Sequence, residues 1–186
     1  MPDSSSVHHL EVMRWLLRRG TDPDAQDNCF GPLTYSASGL GQAKVVRSLL
    51  QHSADVNAGA RYNYTPLHWA SMNGHANVAQ VFLDHGAGFN AQSDFGTPLY
   101  LATTSDHLEA ARLLLARGAD VHIRVPRGLT PFQTSGESQI SQLLLEHGAE
   151  HQEKPPLIIC YNLHLLLNFT ENYCYFRLFY PQIIYF

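Results

Sequence analysis

Cysteine is scarce in this sequence, and so are the signals of a secreted or metal-bound protein. The 186 residues include three cysteines, Cys29, Cys160 and Cys174, whose spacing fits neither a paired disulfide framework nor a zinc site. No apolar stretch follows basic residues at the N-terminus, so no secretory signal peptide is recognised. We therefore expect an intracellular protein, cytoplasmic or nuclear, without disulfides or a bound metal.

Charge and catalytic motifs are also sparse. Asp, Glu, Lys and Arg make up 15% of the chain and the net charge is -4, whereas nucleic-acid binding by charge needs a basic face. The sequence has no Gly-rich phosphate loop, and no spacing argues for a Ser/His/Asp or Cys/His catalytic set. These absences disfavour an enzyme, a cofactor, a small-molecule substrate and a nucleic-acid partner.

What the chain does have is a phrase that recurs at a fixed period. Thr-Pro-Leu-His-Trp-Ala occupies residues 65–70, Thr-Pro-Leu-Tyr-Leu-Ala occupies 97–102, and Thr-Pro-Phe begins again at Thr130. The step from Asn57 to Asn90 is 33 residues, like the step between the second and third phrases. A fixed period of this length indicates an array of stacked structural units.

Each part of the phrase has a structural purpose. A threonine accepts hydrogen bonds from the free N–H groups at a helix start, and a proline suits the first helical position. Gly74 then offers the left-handed backbone that commonly ends a helix. Val78, Phe82 and Leu83 give the apolar stripe of a second helix, which Gly86 ends. We expect one helix pair and one short turn in each unit.

The period and the Thr-Pro-Leu-His phrase resemble the ankyrin repeat. The resemblance implies an all-α fold, an ankyrin-repeat solenoid of stacked helix-turn-helix units joined by short hairpin-like turns. The predicted array covers residues 7–150. It divides into a half repeat at 7–25, three repeats at 26–58, 59–91 and 92–123, and a shortened repeat at 124–150.

The first and last units depart from the pattern. Pro32 precedes Pro66 by 34 residues, one more than the period, and Gly31 stands where a capping threonine is expected. The last unit has 18 residues between its threonine and its final glycine, against 21 in the two central units, so we expect a shortened or frayed first helix there. The chain opens with a second-helix pattern from Val7 to Gly20, so its first unit is half a repeat.

A tail over residues 151–186 no longer follows the repeat and is rich in aromatic and aliphatic residues. Polar and charged residues from Asn162 to Arg177 interrupt it, which disfavours a membrane-spanning helix of about twenty apolar residues. The tail either packs against the last repeat or comes from an unspliced or alternative exon that was never selected to fold. We favour the second origin because the tail shows neither a helical period nor a clean alternation.

The eleven histidines raise the question of a metal site. The resemblance places His68 and His75 at framework positions, where they form hydrogen bonds within and between repeats. His52, His85 and His147 share one register near the ends of successive second helices, where a histidine interacts favourably with the helix dipole. Because no repeat holds more than one of them and packed helices lie roughly 10 Å apart, they are too far apart to share a zinc ion.

The resemblance also implies where a partner binds. In the family, the turn tips and the exposed side of the first helices form a concave surface that grips partner proteins. Aligned onto this chain, the protein-binding positions are Asn28, Phe30, Arg61, Tyr62, Tyr64, Met72, Asn73, Asp94, Phe95, Thr104, Ser105, Arg127 and Leu129. Aromatic residues and arginine are prominent among them, and such residues carry much of the energy at protein interfaces.

The sharpest prediction within that set is an aromatic binding strip. Tyr62, Tyr64 and Phe95 lie on successive tips, with Arg61 and Arg127 beside them. The alternative is that some of these rings pack against adjacent turns and do not face a partner.

The leading function is therefore a non-catalytic scaffold that binds a protein partner of unknown identity through its concave face. The chain is either a whole scaffold or a fragment of a longer ankyrin protein. One alternative is a substrate-recognition adaptor of a ubiquitin ligase, although no recruiting box is recognised after residue 150. A second alternative is a membrane-associated protein held by its apolar tail.

Overall fold

The structure is a computed structural model that describes residues 11, 15–27, 31–59, 61–126, 128–136 and 138–151. Most of the predicted tail and much of the half repeat lie outside these ranges. The prediction for the tail therefore stays a prediction.

Paired helices make up most of the described chain. Their bounds are α1 Leu33–Gly39, α2 Ala43–Gln51, α3 Pro66–Met72, α4 Ala76–Asp84, α5 Pro98–Thr104, α6 Leu108–Ala116, α7 Pro131–Thr134 and α8 Gln139–Glu146. Odd-numbered helices are the first of each pair, and even-numbered helices are the second. Residues 15–18 are also helical, inside the predicted second helix of the half repeat. This order confirms the all-α repeat fold.

The tip before α1 is a small hairpin. Two-residue strands, β1 Gln26–Asp27 and β2 Gly31–Pro32, pair antiparallel with Gln26 opposite Pro32. A single antiparallel bridge between Ser93 and Gly96 forms the corresponding tip before α5. The turns between units are therefore hairpin-like, as the resemblance implies.

The Thr-Pro dipeptides begin helices as predicted. The proline of each is the first residue of α3, α5 and α7. Before α5, Thr97 Oγ1 accepts a hydrogen bond from the Tyr100 N–H at 3.2 Å. Before α3, the Thr65 N–H donates to His68 Nδ1 at 3.0 Å, and the two residues form a reciprocal capping box. These caps satisfy N–H groups that a helix start otherwise leaves free.

Helix α1 starts differently. Its N-cap is Pro32, so the helix begins at Leu33, and the predicted cap position, Gly31, is wrong by one residue. Helices α1 and α3 both have seven residues, so no residue is inserted within α1. The extra residue between Pro32 and Pro66 changes only where the proline stands: Pro32 precedes its helix, whereas Pro66 is the first residue of α3. Counting back from the glycines that follow the two helices places Thr34 where α3 has Leu67 in the core. Thr34 is fully buried, and its hydroxyl oxygen has no hydrogen-bond partner within the described residues.

The helix pairs stack so that first helices pack against first helices and second helices pack against second helices. Among first helices, α3 lies between α1 and α5, and α5 also contacts α7. Among second helices, α4 lies between α2 and α6, and α6 also contacts α8. Fully buried side chains such as Leu67, Phe82, Leu99 and Leu114 join these layers into one apolar core. Each unit is stabilised mainly by its immediate neighbours, which is the energetic pattern of a solenoid.

Side-chain oxygens after the second helices add a polar link between units, which we call the cross-repeat bonds. Each accepts a hydrogen bond from a backbone N–H of the next unit. The pairs are Asp24 with the Asp55 N–H at 2.9 and 3.1 Å, Asn57 with the Gly88 N–H at 3.2 Å, and Asn90 with the Asp120 N–H at 2.9 Å. A carboxylate or amide therefore recurs at this place because the next loop offers it an N–H donor.

The last unit is reduced as expected. Helix α7 has four residues, whereas α3 and α5 have seven. Its N-cap still forms a capping box, in which the Thr130 N–H donates to Gln133 Oε1 at 3.1 Å. The prediction of a shortened first helix is confirmed.

The histidines at the ends of second helices keep the predicted register. Each Nδ1 atom donates to the carbonyl four residues earlier: His52 to Ser48 O at 2.8 Å, His85 to Val81 O at 2.8 Å and His147 to Leu143 O at 2.9 Å. A carbonyl oxygen only accepts, so Nδ1 carries the hydrogen. These bonds satisfy carbonyl groups near the helix ends, where a partner is otherwise lacking.

Candidate protein-binding surface

The tip before α3 has an unusual backbone. Residues Arg61–Asn63 form a short 3-10 turn in which Tyr62 and Asn63 have φ values of 63° and 57°. Left-handed backbone is uncommon for residues other than glycine and is costly for a bulky ring. The Asp94 N–H donates to Tyr62 O at 3.1 Å, and Asn63 Nδ2 donates to Asp94 Oδ1 at 3.2 Å. Bonds from the next tip therefore hold the turn in this conformation.

The tip before α5 is held from within. Ser93 Oγ donates to Gly96 O at 2.7 Å, and the Phe95 N–H donates to Ser93 Oγ at 3.3 Å. Gly96 has a φ of 123°, and a Cβ there would lie 2.6 Å from Val125 Cγ1. Glycine is therefore required at this position for both its backbone and its space. The result is a tight turn that presents Phe95 toward the tip before α3.

Aromatic rings connect the two tips to the first helices. Tyr62 meets Phe95 edge to face with centroids 5.6 Å apart, and Phe95 lies 5.7 Å from Tyr64. Tyr64 continues to Trp69 at 5.9 Å, and Trp69 lies 5.3 Å from Tyr35. Aromatic pairs at such distances are attractive beyond the area they bury. The five rings form one connected cluster that runs from the tips to α1.

Only one end of this cluster faces solvent freely. Tyr62 is 43% exposed and Phe95 is half-buried, whereas Tyr64 is 2% exposed. The predicted strip is therefore wrong about Tyr64 as an exposed ring, because Phe95, His68 and Trp69 cover it. Tyr64 instead follows the alternative prediction, in which a ring packs against the adjacent turn and does not face a partner.

Two more of the predicted binding positions are buried. Met72 lies in α3, whose seven residues are all buried between α1 and α5. Leu129 is buried beneath the tip before α7, where its carbonyl accepts a bond from the Val125 N–H at 3.0 Å. These side chains support the scaffold and are not available to a partner in this conformation.

The polar positions at the ends of the first helices are half-buried and partly used within their own helices. Asn73 Nδ2 donates to Trp69 O at 2.9 Å, and Thr104 Oγ1 donates to Tyr100 O at 3.1 Å. Ser105 is also half-buried, and Asp94 is exposed. Asn28, Phe30 and Arg127 lie outside the described residues, as does the side chain of Arg61.

Sequence reasoning missed Asn63 and Leu40. Asn63 is exposed and bonded to Asp94, which places it beside the Tyr62 ring at the tip. Leu40 is 54% exposed at the end of α1, in register with Asn73 and Ser105. A leucine at a position that is polar in two other units is a signal that a comparison of the repeats could have found.

A buried histidine supports the tips from below. His68 Nδ1 accepts from the Thr65 N–H, and its Nε2 donates to Ala91 O and Gly96 O, both at 3.1 Å. Burial lowers the pKa of His68 to about 4, against the opposing effect of its two carbonyl partners. The ring is therefore neutral near pH 7 and joins α3 to both ends of the next tip.

The described residues contain no group of three or more His, Cys, Asp or Glu side chains placed to hold a metal ion. Over the same ranges, no helix has both the length and the apolar character needed to cross a membrane.

Comparison with known proteins agrees with the repeat pattern. A family described as ankyrin repeats matches in three copies, over residues 4–93 and 62–125. Alpha-latrocrustotoxin-Lt1a of Latrodectus tredecimguttatus is 36% identical over 145 residues, which cover 76% of this chain. The chain spans 8% of the length of that relative.

Proposed function

This chain belongs to the ankyrin repeat family, and on that basis we propose that it acts as a non-catalytic module that binds a partner protein through the tips before α3 and α5. Ankyrin repeats are generally protein–protein interaction modules. The binding surface we assign consists of Tyr62, Asn63, Asp94 and Phe95, and we call it the tip patch. It joins three of the predicted positions, Tyr62, Asp94 and Phe95, to Asn63, and it combines exposure with a fixed conformation.

The observation that carries this proposal is the exposed ring of Tyr62 on a left-handed backbone. Such a conformation costs on the order of 1–3 kcal/mol and persists only where surrounding contacts enforce it. Here the enforcing contacts come from Asp94 and Phe95 of the next unit. Because the ring is already fixed, a partner that covers it loses little additional conformational entropy. A tyrosine with an apolar ring and a polar hydroxyl is also a common anchor at interfaces.

Polar groups surround this anchor as the rim of an interface does. Asn63 and Asp94 are exposed beside the ring, and Gln92 is exposed on the same turn. An aromatic centre with a polar rim is the usual anatomy of a protein–protein contact. Phe95 contacts the anchor ring and itself packs against the buried ring of Tyr64, so the anchor is supported from the protein side.

Affinity capture followed by titration tests the proposal. The full-length chain, Tyr62→Ala and Leu145→Ala would each be used as bait, and proteins retained by the unmodified chain would be identified and purified. Leu145 is the matched control, since it is an exposed apolar residue on α8, away from the tip patch. We expect Tyr62→Ala to weaken binding about tenfold or more, equivalent to about 1.4 kcal/mol, and Leu145→Ala to leave it unchanged.

Circular dichroism of each variant separates a binding defect from a folding defect. Equal affinity of Tyr62→Ala and the unmodified chain for every captured partner would contradict the proposal. So would an equal loss of affinity in both variants.

A further inference from the structure

A threonine follows the helical residues 15–18 at a position where the other units carry alanine. Thr21 succeeds Gly20, whose φ is 87°, and its N–H bonds back to Leu16 O. The residues in the same register are Ala54, Ala87, Ala119 and Ala149, and all four are buried. Thr21 is exposed. The repeat pattern accounts for a small apolar side chain here but does not account for an exposed hydroxyl.

The hydroxyl group lies at the end of that helical segment. Thr21 Oγ1 donates to Leu16 O at 2.9 Å. Thr21 itself is exposed, and a Cβ built on the adjacent Gly20 would meet nothing within 4 Å, so the neighbouring surface is open. An approaching molecule needs to break one surface hydrogen bond to reach Oγ1.

Two arginines, Arg18 and Arg19, lie three and two residues before Thr21 in the sequence. Arg18 and Arg19 are both exposed, and the Arg19 guanidinium lies 4.2 Å from the centre of the exposed Trp15 ring. Protein kinases select substrates partly by patterns of charge around the acceptor hydroxyl. A pair of guanidinium groups just before a hydroxyl suits a kinase whose substrate groove is acidic, because guanidinium pairs well with carboxylates.

Two other serine or threonine hydroxyls that closely follow an arginine in the described residues are buried. Thr130 comes three residues after Arg127, but it is buried and forms the capping box of α7. Ser48 comes directly after Arg47 and is buried in α2. Among these three hydroxyls, Thr21 alone combines preceding arginines with exposure.

We propose that Thr21 is a phosphorylation site for an arginine-directed serine/threonine kinase. In the transfer, Thr21 Oγ1 forms a bond to the γ-phosphorus of ATP while the bond from that phosphorus to the β,γ-bridging oxygen breaks. ADP leaves with the bonding electron pair, and the hydroxyl proton passes to the kinase's catalytic base. The inference does not depend on the tip patch or its partner.

The modification alters the first cross-repeat bond. Thr21 stands next to Asp22, whose carboxylate accepts the Asp24 N–H at 2.9 Å. Asp24 in turn binds the Asp55 N–H through both carboxylate oxygens. A phosphate at Thr21 removes the donor to Leu16 O and adds negative charge beside a helix C-terminus and two carboxylates, which is unfavourable. Phosphorylation therefore loosens the half repeat from the first full unit.

The test is an in vitro reaction of the full-length chain with the cyclic-AMP-dependent protein kinase and labelled ATP, followed by peptide mass spectrometry. The parallel substrates are Thr21→Ser, Thr21→Ala and the double variant Arg18→Gln/Arg19→Gln. We expect label on the unmodified chain and Thr21→Ser, none on Thr21→Ala, and a strong loss on the double variant. A synthetic peptide of residues 15–25 verifies that the kinase is active on this segment.

Hydrogen exchange on the phosphorylated chain tests the consequence. We expect the Asp55 amide to exchange faster after modification, while amides of α5 and α6 keep their protection. Label on the peptide but not on the folded chain would refute the accessibility of Thr21. No label on either would refute recognition of the arginine pair, and label on Thr130 or Ser48 in place of Thr21 would refute the site. Unchanged exchange at Asp55 would refute the loosening.

Discussion

The imidazole of His107 occupies the space beside Gly74, so that a Cβ at position 74 would lie 2.5 Å from its Nδ1 atom. The preceding unit repeats the relation, with a Cβ at Gly41 falling 2.8 Å from His75 Nδ1. His75 Nε2 also donates to Gly39 O at 3.0 Å. The glycines that follow α1 and α3 therefore serve two purposes, since each supplies a positive φ and leaves room for the histidine of the next unit.

Gly74→Ala should accordingly lower the free energy of unfolding by more than the penalty of a positive φ alone. Gly86 is the matched control, because it has a φ of 85° and nothing within 4 Å of an added Cβ. We expect Gly86→Ala to lower the free energy of unfolding by about 1–2 kcal/mol, the penalty of a left-handed alanine. Gly74→Ala should lose about 1–3 kcal/mol more, because the ring of His107 must shift. Urea unfolding followed by circular dichroism measures both, and equal losses would contradict the steric role of His107.

Removing the buried hydroxyl of Thr34 should stabilise the array. Val has nearly the same shape, and the Thr34 oxygen is buried without a partner among the described residues. We expect Thr34→Val to raise the free energy of unfolding by about 1 kcal/mol. Thr103→Val is the control, since Thr103 is also buried but its Oγ1 donates to Leu99 O at 2.8 Å. A stabilisation of the same size in Thr103→Val would show that the missing hydrogen bond is not the cause.

Acid should destabilise the protein through His68. Its pKa is about 4 in the folded chain against 6.5 without burial, so the unfolded state binds the proton more readily. The stabilisation is fully present above pH 6.5 and is lost as the pH falls toward 4, on the order of 3 kcal/mol in total. Burial also lowers the pKa of His107, with a smaller opposing effect from its bond to the Met72 carbonyl, so that residue acts in the same direction.

A variant isolates the contribution of His68. Gln133 completes the capping box at the equivalent position of the last unit, so His68→Gln can keep the Thr65 cap while removing the titrating group. We expect His68→Gln to unfold at a midpoint that changes less between pH 7 and pH 4.5 than the midpoint of the unmodified chain. Thermal unfolding across that range is the measurement. Parallel curves for the two proteins would exclude His68 as the acid-sensitive group.

Alanine substitutions of the two tip tyrosines, Tyr62 and Tyr64, should lower the free energy of unfolding by different amounts. Tyr64 is buried against the rings of His68, Trp69 and Phe95, so Tyr64→Ala should cost about 3 kcal/mol or more, as large aromatic deletions do. Tyr62→Ala relieves a left-handed backbone only in part and loses one edge contact, so its stability should change by less than about 1 kcal/mol. Comparable losses in the two variants would show that Tyr62 is also a packing residue.

Much of the fold was predictable because each signal is local. A threonine, a proline and a glycine at fixed offsets specify the ends of a helix, and the observed caps at Thr65, Thr97 and Thr130 follow from them. The shortened α7 was predictable from residue counting alone. The start of α1 was not, because residue counting places the extra residue between Leu33 and Gly41, whereas α1 keeps seven residues and has Pro32 as its N-cap.

The candidate surface was harder to predict because burial at the tips depends on neighbouring units. Tyr62 and Tyr64 are two residues apart in one turn and look equivalent in sequence. Phe95 of the following tip covers one ring and leaves much of the other exposed. The left-handed backbone of Tyr62 and Asn63 carries no glycine to signal it, so only the contacts with Asp94 reveal it.

The cross-repeat bonds are connected in series, one at each of the first three junctions, from Asp24 to Asp120. Tension applied along the stack therefore passes in full through every one of these junctions, because junctions in series do not divide a load between them. The weakest of the three junctions then sets the pull that the described array withstands.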